Sequence, residues 1–176
     1  QWSKDFTVVT QRPMSKVTGV DGNSCVNQDT VTVVVNALPN VSAGPNQTVC
    51  LNTPVVLSGS GATTYTWTNG VSNNTPFTPV TTNNYVVTGT DGNGCVNTDT
   101  ATVTVLPLPN VNAGQDFAIC VGLGSTLTAT GASTYQWNNN VLNGVTFFPN
   151  TTTTYTVIGT GANGCSAQDS VVVTVN

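Results

Sequence analysis

Five cysteines and seven aspartates, with no histidine and no glutamate, make up nearly all of the chain's stock for nucleophilic, acid–base or metal chemistry. The cysteines lie on a grid. Cys25, Cys95 and Cys165 recur every 70 residues, and so do Cys50 and Cys120. Spacing that regular in a chain without His implies disulfides rather than metal ligands or nucleophiles, and disulfides imply an oxidising, extracellular setting. The carboxylates offer less. Asp91-Gly92-Asn93-Gly94 resembles part of a calcium loop, but its copy Gly161-Ala162-Asn163-Gly164 lacks the carboxylate and no Glu exists to complete a shell, so the segment reads as a turn. Paired carboxylates for glycoside hydrolysis would have to be Asp residues, and these sit at turns and strand starts instead of converging. Tyr65 with Trp67, and Tyr135 with Trp137, could stack on a sugar. One tryptophan per copy on a strand of apolar alternation is more often core. The expectation is a non-catalytic chain with no cofactor and no metal site.

The same 70-residue period governs everything else. Leu38-Pro39-Asn40-Val41 returns as Leu108-Pro109-Asn110-Val111, and residues 37–106 match 107–176 without a gap at 31 of 70 positions. The matches fall on Trp, Tyr, Gly, Cys, Pro and alternating Val, the signature of a tandem array. Val17-Thr18-Gly19 with Asp21-Gly22-Asn23-Ser24-Cys25 is a third, incomplete copy, so the chain begins inside a repeat. The domains read as 1–36, the C-terminal half of a repeat, then 37–106 and 107–176.

From Val17 onward the only charged residues are six Asp, and the cations Lys4, Arg12 and Lys16 all precede it. Nucleic acid needs a basic footprint to neutralise phosphates and is excluded as a partner. Thr and Asn supply about thirty per cent of the chain, a neutral surface that stays soluble with little net charge. No run approaches the ~20 apolar residues of a membrane helix, so membrane insertion is not expected, and no stretch of the sequence reads as a signal peptide.

Each copy reads as antiparallel β structure. Ala101, Val103 and Val105 alternate with Thr100, Thr102 and Thr104, and Val31, Val33 and Val35 repeat the pattern. Tyr85-Val86-Val87-Thr88 and Tyr155-Thr156-Val157-Ile158 supply the partner strand, with Asp91-Gly-Asn-Gly94 as hairpin turn. Upstream lie strands at 55–58 and 63–68, the latter carrying Tyr65 and Trp67, and a short strand near Phe77. Gly, Asn and β-branched residues interrupt every window that could be a helix. About seven short strands with a Trp on the third fit an immunoglobulin-like sandwich. The fold class is therefore all-β, tandem immunoglobulin-like β-sandwich domains, and Leu106-Pro107-Leu108-Pro109, holding the backbone extended between domains, predicts a rod.

Two disulfide pairings are open. Within domains, Cys50 would pair with Cys95 and Cys120 with Cys165, leaving Cys25 to a partner elsewhere. Against this, the ten residues from Val41 to Cys50 span ~33 Å at ~3.3 Å each, which carries Cys50 to the pole opposite the final hairpin, and a bridge tolerates only ~7 Å between α-carbons. The final hairpin of one domain faces the preceding domain's lower pole, so Cys50 could instead bond Cys165 between domains.

Ala43-Gly44-Pro45-Asn46-Gln47-Thr48-Val49-Cys50, Tyr65-x-Trp67, Tyr85-Val86-Val87-Thr88-Gly89 and Asp91-Gly92-Asn93-Gly94-Cys95 resemble the immunoglobulin-like and PKD-like repeats of large secreted Bacteroidetes surface proteins. The resemblance covers residues 17–176 and implies the stalk of an adhesin, exported through the type IX pathway and associated with gliding motility or attachment. Residues 1–16 depart from the pattern, lacking its Tyr-x-Trp spacing and Thr-rich approach, so Trp2 is not equated with Trp67. Asp29-Thr30-Val31, Asp99-Thr100-Ala101 and Asp169-Ser170-Val171 resemble the O-glycosylation pattern of that group, which makes Thr30, Thr100 and Ser170 acceptors; the alternative is that Asp merely opens the last strand. The N-glycosylation triplets at Asn40, Asn46, Asn73 and Asn150 are irregular and read as chance. The functional expectation is a structural stalk or spacer segment of a cell-surface adhesin or filament, with Trp67, Trp137, Tyr65 and Tyr135 in the cores. Its partners would be neighbouring repeats, further chains in self-association, and possible surface glycans. The rival is a carbohydrate-binding module array of a secreted polysaccharide-degrading enzyme.

Overall fold

The structure, a computed structural model, describes residues 12–176, and Trp2, Lys4 and the start of the 1–36 segment lie outside them. It is all β. The strands are β1 (Arg12–Val20), β2 (Val26–Val33), β3 (Gln47–Cys50), β4 (Thr64–Trp67), β5 (Asn83–Thr90), β6 (Val96–Leu106), β7 (Phe117–Ile119), β8 (Ser125–Thr126), β9 (Thr134–Trp137), β10 (Thr146–Phe147), β11 (Thr153–Thr160) and β12 (Ser166–Val175). A single 3₁₀ turn over Thr68–Gly70 is the one helical element among the described residues.

β7-β12-β11-β9 form one sheet, in which β7 runs parallel to β12 (Phe117 opposite Val173) and the other pairs are antiparallel. β3-β6-β5-β4 repeat that order, with β3 parallel to β6. The opposing layer of the 107–176 copy is β10 paired with β8, extended by a bridge from Asn112 to Thr130. The chain thus leaves one layer after Asn112 and joins the other at Phe117. That sheet switch, with a parallel pairing to the last strand, is an immunoglobulin-like sandwich. The strands expected near 55–58 and Phe77 shrink to a single bridge, Val55 with Phe77, because Pro54 and Pro76 remove ladder donors on either side.

The chain divides into two compact units. One comprises the described residues through Gly44 with Leu57–Thr75 and Tyr85–Thr100. It holds the antiparallel β1–β2 hairpin and buries Val41, Ala43, Leu57, Trp67, Tyr85 and Val87. The hairpin itself is uncovered. Val17, Val31 and Val33 are 67, 55 and 55 % exposed, whereas Val87, Ala101 and Val103, one period later, are fully buried. The second unit comprises Pro45–Val56, Pro76–Asn84 and Ala101–Asn176. Its core is Ala113, Leu127, Ala129, Trp137, Val141, Tyr155, Val157, Val171 and Val173, with the Phe147 ring edge-on to Tyr155 at 5.0 Å. The alternation read along the last strands sends Val171 and Val173 inward and leaves Ser170 exposed.

Cys50 is bonded to Cys165, with α-carbons 5.6 Å apart. Of the two pairings left open by the sequence this is the one between copies; Cys50 is not paired with Cys95, nor Cys120 with Cys165. Cys50 lies opposite Leu106 at the end of β6, while Cys95 precedes its start, so the 11-residue strand holds the two ~36 Å apart. The same register separates Cys120, which follows Ile119 opposite Val175, from Cys165 at the start of β12.

Candidate functional site: a disulfide among recurring latches

Side chains that hold the strands recur with the 70-residue period. Asp99 Oδ2 accepts the Ala43 N–H at 2.8 Å, and Asp169 Oδ2 accepts the Ala113 N–H at 2.8 Å. Both alanines are buried, so each carboxylate satisfies an amide that has left water. The Ala43 N–H, then the Thr100 N–H, hold the Asp99 carboxyl below the usual carboxylate range; the Ala113 and Ser170 N–H groups do so for Asp169. A second latch joins the switching segment to the last strand: Asn46 Oδ1 accepts the Thr102 N–H, and Asp116 Oδ1 accepts the Val172 N–H, each at 2.8 Å. Asn replaces Asp there without loss, so the contact needs an acceptor and not a charge.

The aromatic pair is wired equally locally. The Trp67 and Trp137 indole N–H groups donate to Asn73 Oδ1 and Asn143 Oδ1 at 3.0 Å, and the same oxygens accept the Gly59 and Ala129 N–H groups. The Tyr65 and Tyr135 hydroxyls donate to the Ala62 and Ala132 carbonyls and accept the N–H of the same residues. Both indoles are buried and both tyrosines half-buried, so neither tryptophan offers a face to a sugar ring.

The hairpin turns share one geometry. Asp21 Oδ1 accepts the Asn23 and Cys25 N–H groups, and Asp91 Oδ1 accepts those of Asn93 and Cys95, at 2.8 and 2.9 Å. The Cys25 and Asn23 amides hold the Asp21 carboxyl below its ordinary range. In the 107–176 copy Asn163 Oδ1 takes over towards the Cys165 N–H. These carboxylate oxygens therefore face backbone amides, and no three His, Cys, Asp or Glu converge among the described residues. Cys165 is buried, Cys50 half-buried, and Cys25, Cys95 and Cys120 are free thiols.

Thr30, Thr100 and Ser170 are exposed. The Asp before each has a backbone role: Asp29 accepts the Thr30 N–H, and Asp99 and Asp169 form the latches above. Sequence reasoning passed over that role, and over Asn73 and Asn143, whose signal was their retention six residues after Trp while their neighbours changed. In an Asn-rich chain that retention is faint. Asn46 and Asn73, both in glycosylation triplets, spend their side-chain oxygens on the backbone amides of Thr102 and Gly59. No helix of the described residues is long and apolar enough to cross a membrane.

No family model and no curated protein matches the sequence. Solved structures do. The N-terminal Ig1-2 module of the Drosophila receptor protein tyrosine phosphatase DLAR is 15 % identical, with 80 % of this chain and 100 % of that one covered and a TM-score of 0.34. The insect immune protein hemolin is 15 % identical over 90 % of this chain and 55 % of its own, at a TM-score of 0.44. Sidekick-1 immunoglobulin domains 1–4 are 14 % identical over 92 % and 57 %, at 0.36. The immunoglobulin-like assignment rests on the strand order and the parallel β7–β12 pairing, which these structures accompany.

Proposed function

We propose that the chain is a non-catalytic spacer segment of an extracellular surface protein. In this reading 37–106 and 107–176 are successive immunoglobulin-like domains, and 1–36 supplies the final hairpin of another. The observation that carries it is the Cys50–Cys165 disulfide, which ties the 37–106 copy to the 107–176 copy where a chemical site would have no use for it. The side chains of Asp99, Asp169, Asn46, Asp116, Asn73 and Asn143 are each occupied in holding a strand or a turn. A bridge between copies limits how far they can move apart, and rigidity is what a stalk or filament contributes. The resemblance to Bacteroidetes adhesin repeats, and O-glycans on the exposed Thr30, Thr100 and Ser170 within β2, β6 and β12, belong to the same reading.

The test is small-angle scattering of the oxidised chain and of Cys50→Ser, together with binding to a panel of surface and plant polysaccharides. We expect one narrow distribution of dimensions for the oxidised chain, a broader one for the variant, and no saturable glycan binding. Glycan binding would replace this reading with a carbohydrate-binding module array. Identical scattering of the two proteins would remove the mechanical role.

A further inference from the structure

The five cysteines fall into two structural classes. Cys50 ends, and Cys120 directly follows, the short strand parallel to the last strand, and each uses its carbonyl to accept the N–H three residues on, from Thr53 at 3.0 Å and Leu123 at 3.2 Å. The residue after each donates to the end of the last strand: Leu51 to the Leu106 carbonyl, Val121 to the Asn176 carbonyl. Cys25, Cys95 and Cys165 form the other class. Each accepts, through its carbonyl, an N–H from the residue opening the hairpin turn: Asp21, Asp91 and Gly161, at 2.9 to 3.0 Å. The one disulfide joins the two classes across copies, from Cys50 to Cys165.

Cys120 therefore has the backbone setting of Cys50 without its partner, and it is exposed. Its surroundings add an independent sign. Val121 and Leu123 beside it are 64 and 56 % exposed, and Phe148, whose ring lies against Gly124, is 66 % exposed. Leu51, the counterpart of Val121 next to the bonded Cys50, is half-buried. An apolar patch around a thiol is what a docked hairpin turn would cover.

We propose that Cys120 is a crosslinking site for the hairpin-turn cysteine of a further repeat of this kind, so that disulfides follow one another along the array, one per junction. The inference rests on the spacer reading and extends it. Chemically, the Cys120 thiolate attacks oxidised glutathione, forms the mixed disulfide and releases one glutathione thiol. The hairpin thiolate then attacks the Cys120 sulfur and expels the second, so the two protein thiols lose two electrons and two protons to the low-molecular-weight disulfide.

The test extends the full chain at its C-terminus by one further copy of residues 107–176, refolds it in a glutathione redox buffer, and maps disulfides in an unreduced digest. We expect Cys120 bonded to the hairpin cysteine of the added copy, with Cys50–Cys165 also closed and three maleimide-reactive thiols left instead of five. Replacing that added hairpin cysteine by Ser should return Cys120 to the free thiols, with unchanged circular dichroism. Cys50–Cys165 closed with Cys120 free, or bonded to another Cys120, would overturn this inference and leave the spacer reading standing. An open Cys50–Cys165 would remove both.

Discussion

Asp99 and Asp169 show how one side chain can answer for a strand. Each accepts the N–H of a buried alanine 56 residues earlier, where the chain enters the sandwich. Because those amides hold the folded-state carboxyls below their unfolded values, the stabilisation is present above the unfolded pKa and lost as pH falls through the folded one. We therefore expect a melting temperature that is level from neutral pH down to about pH 5 and declines below about pH 4. In Asp99→Asn with Asp169→Asn the amide acceptor persists but cannot titrate, so the acid decline should flatten; scanning fluorimetry from pH 2 to 7 reads this, and an unchanged slope would place the acid sensitivity elsewhere. Asn143 makes a stricter case, since its one oxygen serves both the Trp137 indole N–H and the Ala129 N–H. Asn143→Leu orphans both donors, at about 1–3 kcal/mol for each. Urea unfolding should show the loss, whereas Leu142→Asn, at an exposed neighbour, should leave the midpoint nearly unchanged.

At the scale of the element, tight turns place the strands that the latches then hold. Gly131 turns with φ +89°, and a Cβ there would sit 1.8 Å from the Asn110 carbonyl oxygen; Gly61 stands in the same relation to Asn40. Gly131→Ala combines left-handed strain with a backbone clash and should cost at least ~2 kcal/mol, measured by urea unfolding. Gly144→Ala has φ +74° but open space, and should cost less. The elements were largely legible in the sequence, because period-two alternation in 100–105 and the Asp-Gly-Asn-Gly turn encode a hairpin locally. The paired Val and Thr faces settled which side of β6 turns inward, with Ala101 and Val103 fully buried. Two things were not legible. The bridge at Val55 and Phe77 was read as full strands because the flanking prolines were not weighed against the apolar pattern. The Asp at the fourth position of β6 and of β12 was read through the residue after it, since its partner amide lies 56 residues away and only the fold brings the two together. The cysteine pairing stayed open for the same reason: spacing gave the period, but the parallel register of β3 on β6 was needed to see that Cys50 cannot reach Cys95.

For the whole molecule, the disulfide spans 115 residues and should act chiefly on the unfolded chain. A loop of about 100 residues loses roughly 4–5 kcal/mol of closure entropy in the chain-entropy account, and native bridges typically deliver about 2–5 kcal/mol. How that stabilisation is distributed separates a stapled array from independent beads. Most of the interactions described above stay within one 70-residue copy: the Asp latches, the Trp–Asn pairs and the Tyr hydroxyls all close inside it. The bridge is the covalent term that couples residue 50 of one copy to residue 165 of the next, and both lie in the second compact unit, which draws Pro45–Val56 and Pro76–Asn84 from the earlier copy. In a quasi-one-dimensional chain such a coupling term sets whether neighbours unfold together. We expect the oxidised protein to unfold in one calorimetric transition for residues 37–176. Reduction, or Cys50→Ser with Cys165→Ser, should lower the midpoint and split that transition into two. Two transitions already present with the bridge intact would show that it restrains the copies without coupling their folding. A midpoint unmoved by reduction would mean that the latches alone set the stability.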